Sequence, residues 1–464
     1  MGSQTLPDAP HAIAARRVFV AGEFVPATVT IGGDEVTAIG AFDAAAPTVL
    51  PDEAVLLPGL VDSHVHLDEP GRTEWEGFAT GTAAAAAGGV ATVLDMPLNS
   101  VPVTTTPEAL AAKRAATRGK LAVDLGYWGG AVPENLGALH PLADAGVVGF
   151  KCFLSPSGID EFGHLDADQL EQALAEIAAF DGVLIVHAED PSHLHGDGPL
   201  GRHYRDFERS RPPESERTAI RRVIDAAART GARAHIVHVS DGGALDDVRA
   251  AKADGIRLTV ETCPHYLTLR AEDVPDGDAS FKCCPPIRDA ANQNLLWRGV
   301  VDGTIDAIVS DHSPSTRALK QRGDGDFGLA WGGISGLQTG LPAVWTEARR
   351  RGIALETILP LMTTGPARIG GLHARGRIAV GEPAHLVVFR PEAAFRVRAD
   401  DLEYRNPMSP WDGATLYGIV EATYLYGGLA YRRGLGVLRR GGREMLAAPA
   451  SGRVPASRNE RAMS

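Results

Sequence analysis

The chain has 464 residues, of which 44% are hydrophobic and 22% are charged, and its formal net charge is −13. This composition predicts a globular protein with a large core and excludes disorder as its main state. The negative charge argues against nucleic acid or an anionic membrane surface as a partner. Four cysteines without a C-x-x-C pair exclude a disulfide scaffold and favour a reducing, cytoplasmic location.

Short apolar runs broken by glycine and proline occupy the beginning of the chain and return near its end. Near the beginning they lie at residues 18–20, 28–31, 36–39 and 54–57, and near the end at 384–389, 395–397 and 417–426. Such runs are typical of β-strands. Neither group is large enough to form a stable domain alone, so we predict one small β-sandwich built from residues 1–57 and 376–446. Residues 447–464 show no regular spacing of apolar residues, which predicts a flexible tail.

The middle of the chain has a different rhythm, in which apolar runs alternate with alanine-rich amphipathic segments. Eight runs lie at residues 59–66, 90–96, 123–128, 147–153, 183–187, 234–239, 257–261 and 305–310. Amphipathic stretches at 168–180 and 214–230 predict helices between them. Eight buried strands alternating with helices indicate an α/β protein with a (β/α)₈ TIM barrel over residues 58–375. A doubly wound sheet is the alternative, but no glycine-rich phosphate loop follows the first strand.

Polar side chains cluster at the carboxyl ends of five of the eight predicted strands. The residues are His64, His66, Lys151, His187, His238 and Asp311. In a barrel these ends share one face, and that face carries the chemistry. One strand histidine is commonly a core residue, and one aspartate is commonly a helix cap. The joint occurrence instead favours a site for two divalent ions, because imidazole and carboxylate are ligands for zinc and similar metals.

Lys151 stands out because lysine is scarce in this chain. It occurs only at positions 113, 120, 151, 252, 282 and 320, whereas arginine is abundant, which is typical of codon use in a GC-rich genome. A buried ammonium group is costly and tends to lose its proton. If the amine of Lys151 captured carbon dioxide, the resulting carbamate would carry two oxygens that can bridge two metal ions.

The run from Pro58 to His66, with sequence PGLVDSHVH, resembles the amidohydrolase superfamily in its cyclic amidohydrolase branch. That branch contains allantoinases, hydantoinases, dihydropyrimidinases and dihydroorotases, and the likeness covers roughly residues 10–445. The resemblance implies a barrel with a terminal β-sandwich and a binuclear metal centre, with zinc first and cobalt, manganese or iron as alternatives. It implies as metal ligands His64, His66, carbamylated Lys151, His187, His238 and Asp311.

Longer stretches distinguish the members of this branch. Residues 68–78, 95–100, 282–288, 310–314 and 330–338 resemble allantoinases. Dihydroorotases carry an arginine at the position of Asp68, and dihydropyrimidinases carry a tyrosine shortly after the bridging lysine, which is missing from residues 154–158 here. Ser315 departs from the allantoinase pattern, which usually has cysteine.

The resemblance therefore implies hydrolysis of (S)-allantoin, a small neutral ureide, to allantoate in purine catabolism, by a homotetramer. Asp311 is expected to take a proton from the attacking water and pass it to the ring nitrogen. Expected substrate contacts are Asn99, Cys284, Gly333 and Ile334. The alternatives are hydantoinase or dihydropyrimidinase activity, then dihydroorotase activity, and outside the enzymes a catalytically inactive scaffold protein.

Overall fold

The computed structural model describes residues 8–9, 11–196 and 198–450. The chain begins with five strands, β1 (Ala12–Val20), β2 (Glu23–Gly32), β3 (Glu35–Ala41), β4 (Thr48–Val49) and β5 (Val55–Pro58). β1 to β3 form an antiparallel meander in which each turn contains a glycine with positive φ. Glycine tolerates this backbone conformation because it lacks a Cβ atom.

Parallel strands follow, and they form the wall of a barrel. They are β6 (Leu60–Val65), β7 (Val90–Asp95), β8 (Asp124–Tyr127), β9 (Gly129–Gly130), β10 (Phe150–Phe153), β11 (Val183–His187), β12 (Arg233–Ile236), β13 (Leu258–Thr262) and β14 (Ala307–Ile308). The predicted strand at 123–128 corresponds to β8, and β9 is a short strand directly after it, so the eight predicted strands are confirmed. A bridge between Val65 and His312 joins the first strand to the segment after the last and closes the ring.

Helices surround this barrel. Within the described residues they are α1 (Phe78–Ala87), α2 (Pro107–Ala116), α3 (His140–Asp144), α4 (Ala167–Ala178), α5 (Tyr204–Ser210), α6 (Pro213–Thr230), α7 (Leu245–Ala253), α8 (Pro264–Thr268), α9 (Ala290–Val301), α10 (Arg317–Lys320), α11 (Gly340–Arg350), α12 (Leu355–Ile358) and α13 (Thr364–Ile369). The predicted helices at 168–180 and 214–230 correspond to α4 and α6. Asp166 caps α4 through the Gln169 amide, and α6 ends at Gly231 in the left-handed conformation.

The last strands are β15 (Leu386–Arg396), β16 (Thr415–Leu425), β17 (Gly428–Arg432) and β18 (Gly436–Val437). They join the first strands in one nine-stranded sheet with the order β18-β17-β16-β15-β5-β1-β2-β3, and β4 pairs with β1. The antiparallel pair of β5 and β15 connects the two ends of the chain. The prediction that both termini build one β-structure beside the barrel is therefore confirmed.

After β18 the chain returns to the barrel, a contact that was not predicted from the sequence. Leu125 on β8 donates its amide to Arg443 and accepts the amide of Met445, at 3.0 and 2.8 Å. The Ala447 amide still donates to Gly146 at 2.9 Å, although the predicted tail begins at that residue. Residues 451–464 of the predicted tail lie outside the described residues. Across the described part of the chain, no helix is long and apolar enough to cross a membrane.

Candidate metal centre

Closure of the barrel brings together His64, His66 and Asp311. Asp62 on β6 accepts the amides of His64 and Ser310, at 3.1 and 3.0 Å, so one carboxylate ties the first strand to the segment after the last. As a result, Asp311 Oδ1 lies 3.1 Å from His64 Nε2 and 3.7 Å from His66 Nε2. These three side chains are buried and close enough together to hold a metal ion.

His187 and His238 form the second part of the cluster. His187 ends β11, and His238 follows β12 with a left-handed φ of 41°. His187 Nδ1 faces His238 Nε2 at 2.9 Å, and the ring centroids of His64 and His238 are 5.4 Å apart. The predicted histidines of three different strands therefore meet in one buried space.

Lys151 lies on β10 and is 1% exposed. Its Nζ lies 4.9 Å from the centroid of the Phe153 ring, and it makes no ion pair with any described residue. Burial lowers the pKa of Lys151 to about 8, although the carboxylates of Asp311 and Glu261 act in the opposite direction. A lowered pKa increases the fraction of neutral amine at neutral pH, and the neutral amine is the form that can react with carbon dioxide.

The imidazoles differ in their electrostatics. Burial, followed by the charges of His64 and Lys151, lowers the pKa of His66 to about 3, and burial also lowers the pKa of His187 and of His238. Those rings are neutral at pH 7, which is the state that binds metal. Burial acts against protonation of His64 too, but the carboxylates of Asp311 and Glu261 outweigh burial and raise its pKa to about 9.

Asp311 is the carboxylate in the centre of the cluster. Burial favours its neutral form, but the charges of His64 and His66 outweigh burial and hold its pKa well below the usual range. Asp311 is therefore ionised at neutral pH. An ionised carboxylate beside neutral imidazoles is a donor set that suits divalent ions such as zinc.

The chemistry of this cluster fits the metal pair that the sequence resemblance implies. His64 Nε2 is buried and makes no well-formed hydrogen bond among the described residues, although Asp311 Oδ1 lies 3.1 Å away, and the Nδ1 atom of His238 has no hydrogen-bond partner there. A buried polar atom without a well-formed hydrogen bond costs free energy, which a bound ion would recover at His64 Nε2. Four imidazoles, one carboxylate and one amine without an ion pair surround the same space.

Carboxylates outside the cluster orient two of the histidines, and neither carboxylate was predicted from the sequence. Glu261 on β13 accepts from His64 Nδ1 at 2.6 Å and from His235 Nε2 at 2.9 Å. Glu189 accepts from His187 Nε2 at 2.7 Å, and Arg211 holds Glu189 at 2.6 Å. Such outer contacts fix which ring nitrogen faces the metal. A signal was available, because Glu189 and Glu261 are acids at the ends of apolar strands.

Two further buried histidines lie nearby. Neither ring nitrogen of His265 has a hydrogen-bond partner in the described part of the chain, and this residue forms a second possible metal group with Cys263 and Asp311. His312 Nε2 lies 3.3 Å from Glu76 Oε2. The contact with Glu76 is that of a structural histidine.

The predicted substrate contacts surround the same face of the barrel. Leu98, beside Asn99, places its carbonyl oxygen 3.4 Å from His66 Nδ1. Ile334 pairs with His312 as a parallel bridge, which places Gly333 and Ile334 beside Asp311. The Sγ atom of Cys284 lies 3.9 Å from the point that a Cβ atom on Gly332 would occupy. All four predicted contacts are thus in segments that adjoin the metal cluster or each other.

Comparison with known proteins agrees with this architecture. Residues 55–430 match the profile described as "Amidohydrolase family". An allantoinase of Streptomyces avermitilis is 53% identical over 407 residues, covering 87% of this chain and 91% of that protein. An allantoinase of Arabidopsis thaliana is 45% identical over 398 residues, covering 82% and 79%. The solved L-hydantoinase (dihydropyrimidinase) of Arthrobacter aurescens is 28% identical, with a TM-score of 0.89 that covers 94% of this chain and 100% of that one.

The family match covers most of the chain, and the relatives are similar over nearly their whole length. The match includes all the barrel strands and the strand ends that carry the polar cluster. Metal dependence is general in this family. The chain therefore belongs to the amidohydrolase family and is a hydrolase.

Proposed function

We propose that this chain is an allantoinase, which opens the five-membered ring of allantoin by hydrolysis to give allantoate. The observation that carries the proposal is the 53% identity to the Streptomyces avermitilis allantoinase over most of both chains. Buried imidazoles around an ionised aspartate, with a neighbouring amine that makes no ion pair, support the same chemistry. The chain has Asp68 where dihydroorotases carry an arginine, which favours a neutral ureide over an anionic substrate.

In this proposal His64, His66, Lys151, His187, His238 and Asp311 hold two divalent ions, with zinc as the metal. When bound, such ions supply Lewis-acid polarisation of a carbonyl oxygen and a water molecule of lowered pKa. The amine nitrogen of Lys151 forms a C–N bond to carbon dioxide and releases one proton, which produces a bridging carbamate. This reaction needs a neutral amine, and the lowered pKa of Lys151 supports it.

Asp311 is the proposed proton carrier. Its carboxylate is ionised at neutral pH, so it can accept a proton from the attacking water. The same proton then goes to the ring nitrogen as the amide C–N bond breaks, which turns that nitrogen into a neutral leaving group. Asn99, Cys284, Gly333 and Ile334 are the proposed substrate contacts. A homotetramer in the cytoplasm is the proposed working state, and light scattering of the purified protein tests its size.

A second candidate function comes from the solved structures, since the Arthrobacter aurescens protein is described as a hydantoinase. One experiment decides between the two. The zinc-loaded protein is given allantoin, hydantoin, dihydrouracil and dihydroorotate in parallel, and kcat/KM is measured for each. Allantoin is expected to be the best substrate. A higher value for dihydrouracil or for a hydantoin would replace the allantoinase proposal. A protein that binds no zinc on loading and hydrolyses none of the four compounds would favour the scaffold alternative.

A further inference from the structure

The loop of residues 328–334 contains Gly333 and Ile334 and lies directly beside Asp311. The Ser313 amide donates to the Ile334 carbonyl at 3.1 Å, and Ile334 is the bridge partner of His312. A Cβ atom on Gly333 would lie only 2.0 Å from the carbonyl oxygen of Ser313, so a residue without a side chain is required for this approach. The position of the loop therefore sets the spacing between the proposed substrate contacts and Asp311.

Two buried lysines donate to main-chain carbonyl groups of this loop. Lys282 Nζ donates to Ala330 at 2.5 Å and to Gly328 at 3.4 Å. Lys320 Nζ donates to Gly333, and also to Ala279 at 3.4 Å. Loop carbonyls without a secondary-structure partner need such donors when they are buried. The two lysines thus hold the beginning, the middle and the end of the same loop.

Outside the metal cluster, these two lysines differ from the other described lysines in having no ion pair. Lys113, Lys120 and Lys252 each form an ion pair with a carboxylate. Lys282 and Lys320 form none with any described residue, although they are only 7% and 6% exposed. Burying an amine without a carboxylate partner costs free energy, so a contribution to the stability of the fold does not explain a lysine at these two positions.

The electrostatics agree with a role that depends on hydrogen bonding. Burial, followed by the charge of Lys282, lowers the pKa of Lys320 to about 7. Burial also lowers the pKa of Lys282, and its Nζ lies 5.2 Å from the centroid of the Phe207 ring. An amine donates to carbonyl oxygens whether or not it is protonated. The hydrogen bonds to the loop are therefore maintained in both states.

We infer that Lys282 and Lys320 are positioning residues, which hold the 328–334 loop in place beside Asp311 so that Gly333 and Ile334 meet the substrate. The inference rests on the proposed function for the identity of that substrate. The loop also carries Trp331, whose ring packs edge-on against Trp75 with 5.2 Å between the centroids. Displacement of a substrate contact weakens the binding of substrate and transition state alike, so it raises KM and leaves kcat nearly unchanged.

The test uses K282M and K320M in the zinc-loaded enzyme, with K252M as the matched control. Lys252 Nζ also donates to a main-chain carbonyl, that of Thr304 at 2.7 Å, but at the opposite end of β14 from Asp311. We expect KM for allantoin to rise at least about tenfold in both loop variants, with kcat and metal content close to those of the wild type. The K252M enzyme is expected to retain the wild-type KM.

A double variant, K282M/K320M, separates a shared loop from two independent effects. If both lysines hold one loop, the double variant has about the same KM as the more affected single variant. Additive increases in the double variant would contradict the inference. If either methionine variant fails to fold, K282Q and K320Q carry the same expectation, because their shorter arms do not reach the loop.

Amide hydrogen exchange gives a second measurement that needs no substrate. We expect exchange of residues 327–335 to become faster in K282M and K320M at equal metal content, and to stay unchanged in K252M. If the wild type does not hydrolyse allantoin, the proposed function is wrong, and the exchange data still decide whether the lysines hold the loop. Unchanged exchange together with unchanged KM would overturn the inference.

Discussion

Lys113 and Lys151 are two fully buried lysines in different regions of the barrel, and their surroundings differ sharply. Lys113, on α2, donates to Asp95 at 2.6 Å and to the Met96 carbonyl at 2.8 Å. Lys151, on β10, has no ion pair within the described residues, and histidines surround it. Each is 1% exposed. The cost of burying an ammonium group is thus offset by a salt bridge at α2, whereas at β10 it favours a neutral, reactive amine.

The pairing of Lys113 also has a structural consequence for the site. Asp95 uses its other oxygen to accept the Leu67 amide at 2.8 Å, directly after His66. The salt bridge at the end of β7 therefore supports the backbone that carries one of the proposed ligands. The paired Lys113 therefore serves the architecture, whereas the unpaired Lys151 is available for chemistry.

The largest effect is expected for K151A, which removes the buried amine that has no ion pair. We expect kcat/KM for allantoin to fall by at least about a thousandfold, because the proposed bridging ligand of the ions is lost. Zinc content after dialysis is expected to fall in parallel, and short carboxylic acids are expected to restore part of the activity. Full activity of K151A with full zinc content would contradict the carbamate.

The next largest effect is expected when the salt bridge between Lys113 and Asp95 is broken. In K113M the carboxylate of Asp95 stays buried without its partner, so the free energy of unfolding is expected to fall by about 3–5 kcal/mol. Urea denaturation of the metal-loaded protein measures this change. The double variant K113M/D95L removes both charges and is expected to recover part of the loss. Equal losses in the single and double variants would show that the unpaired charge is not the cause.

A smaller effect is expected from E261Q, which weakens the contact between Glu261 and His64. The hydrogen bond to Nδ1 orients the ring and increases its basicity, so we expect metal affinity to fall about 10–100-fold. Competition with a chelator measures the affinity. E347Q is the control, since Glu347 on α11 contacts Arg351 rather than a proposed ligand. The same affinity in E261Q and E347Q would contradict this role of Glu261.

The smallest effect is the pH dependence of stability contributed by Lys320. Its pKa is about 7 in the folded protein and 10.5 as the reference value. Between these values the unfolded chain binds more protons, so stability rises with pH, by at most about 1.4 kcal/mol per pH unit. From pH 7 to 9 the wild type is therefore expected to gain stability relative to K320M. Parallel stability curves for the two proteins would contradict the lowered pKa.

Much of the fold was predictable from local pattern. Buried parallel strands produce short continuous apolar runs, so the eight barrel strands could be counted in the sequence. Helices α4 and α6 were predictable from their period. The return of residues 442–447 to β8 was not, because a single strand-like segment without an apolar pattern does not indicate its partner.

The polar residues at the strand ends were likewise predictable as a group, since side chains two apart on a strand share a face and strand ends share one edge of a barrel. Their individual partners were not. Glu261 lies 197 residues from His64 in sequence, and only the closed barrel brings the two side chains within 2.6 Å.

By itself, the sequence determined the alternation of strands and helices, the residue types available for metal binding and the scarcity of lysine. The tertiary structure alone decided which lysine is paired with Asp95, which is left unpaired among histidines, and which two hold the loop beside Asp311. The physical reason is that the pattern of apolar and polar residues, which determines strands and helices, is set by neighbours along the chain. The pairing of a charge depends instead on groups that only the folded barrel brings into contact.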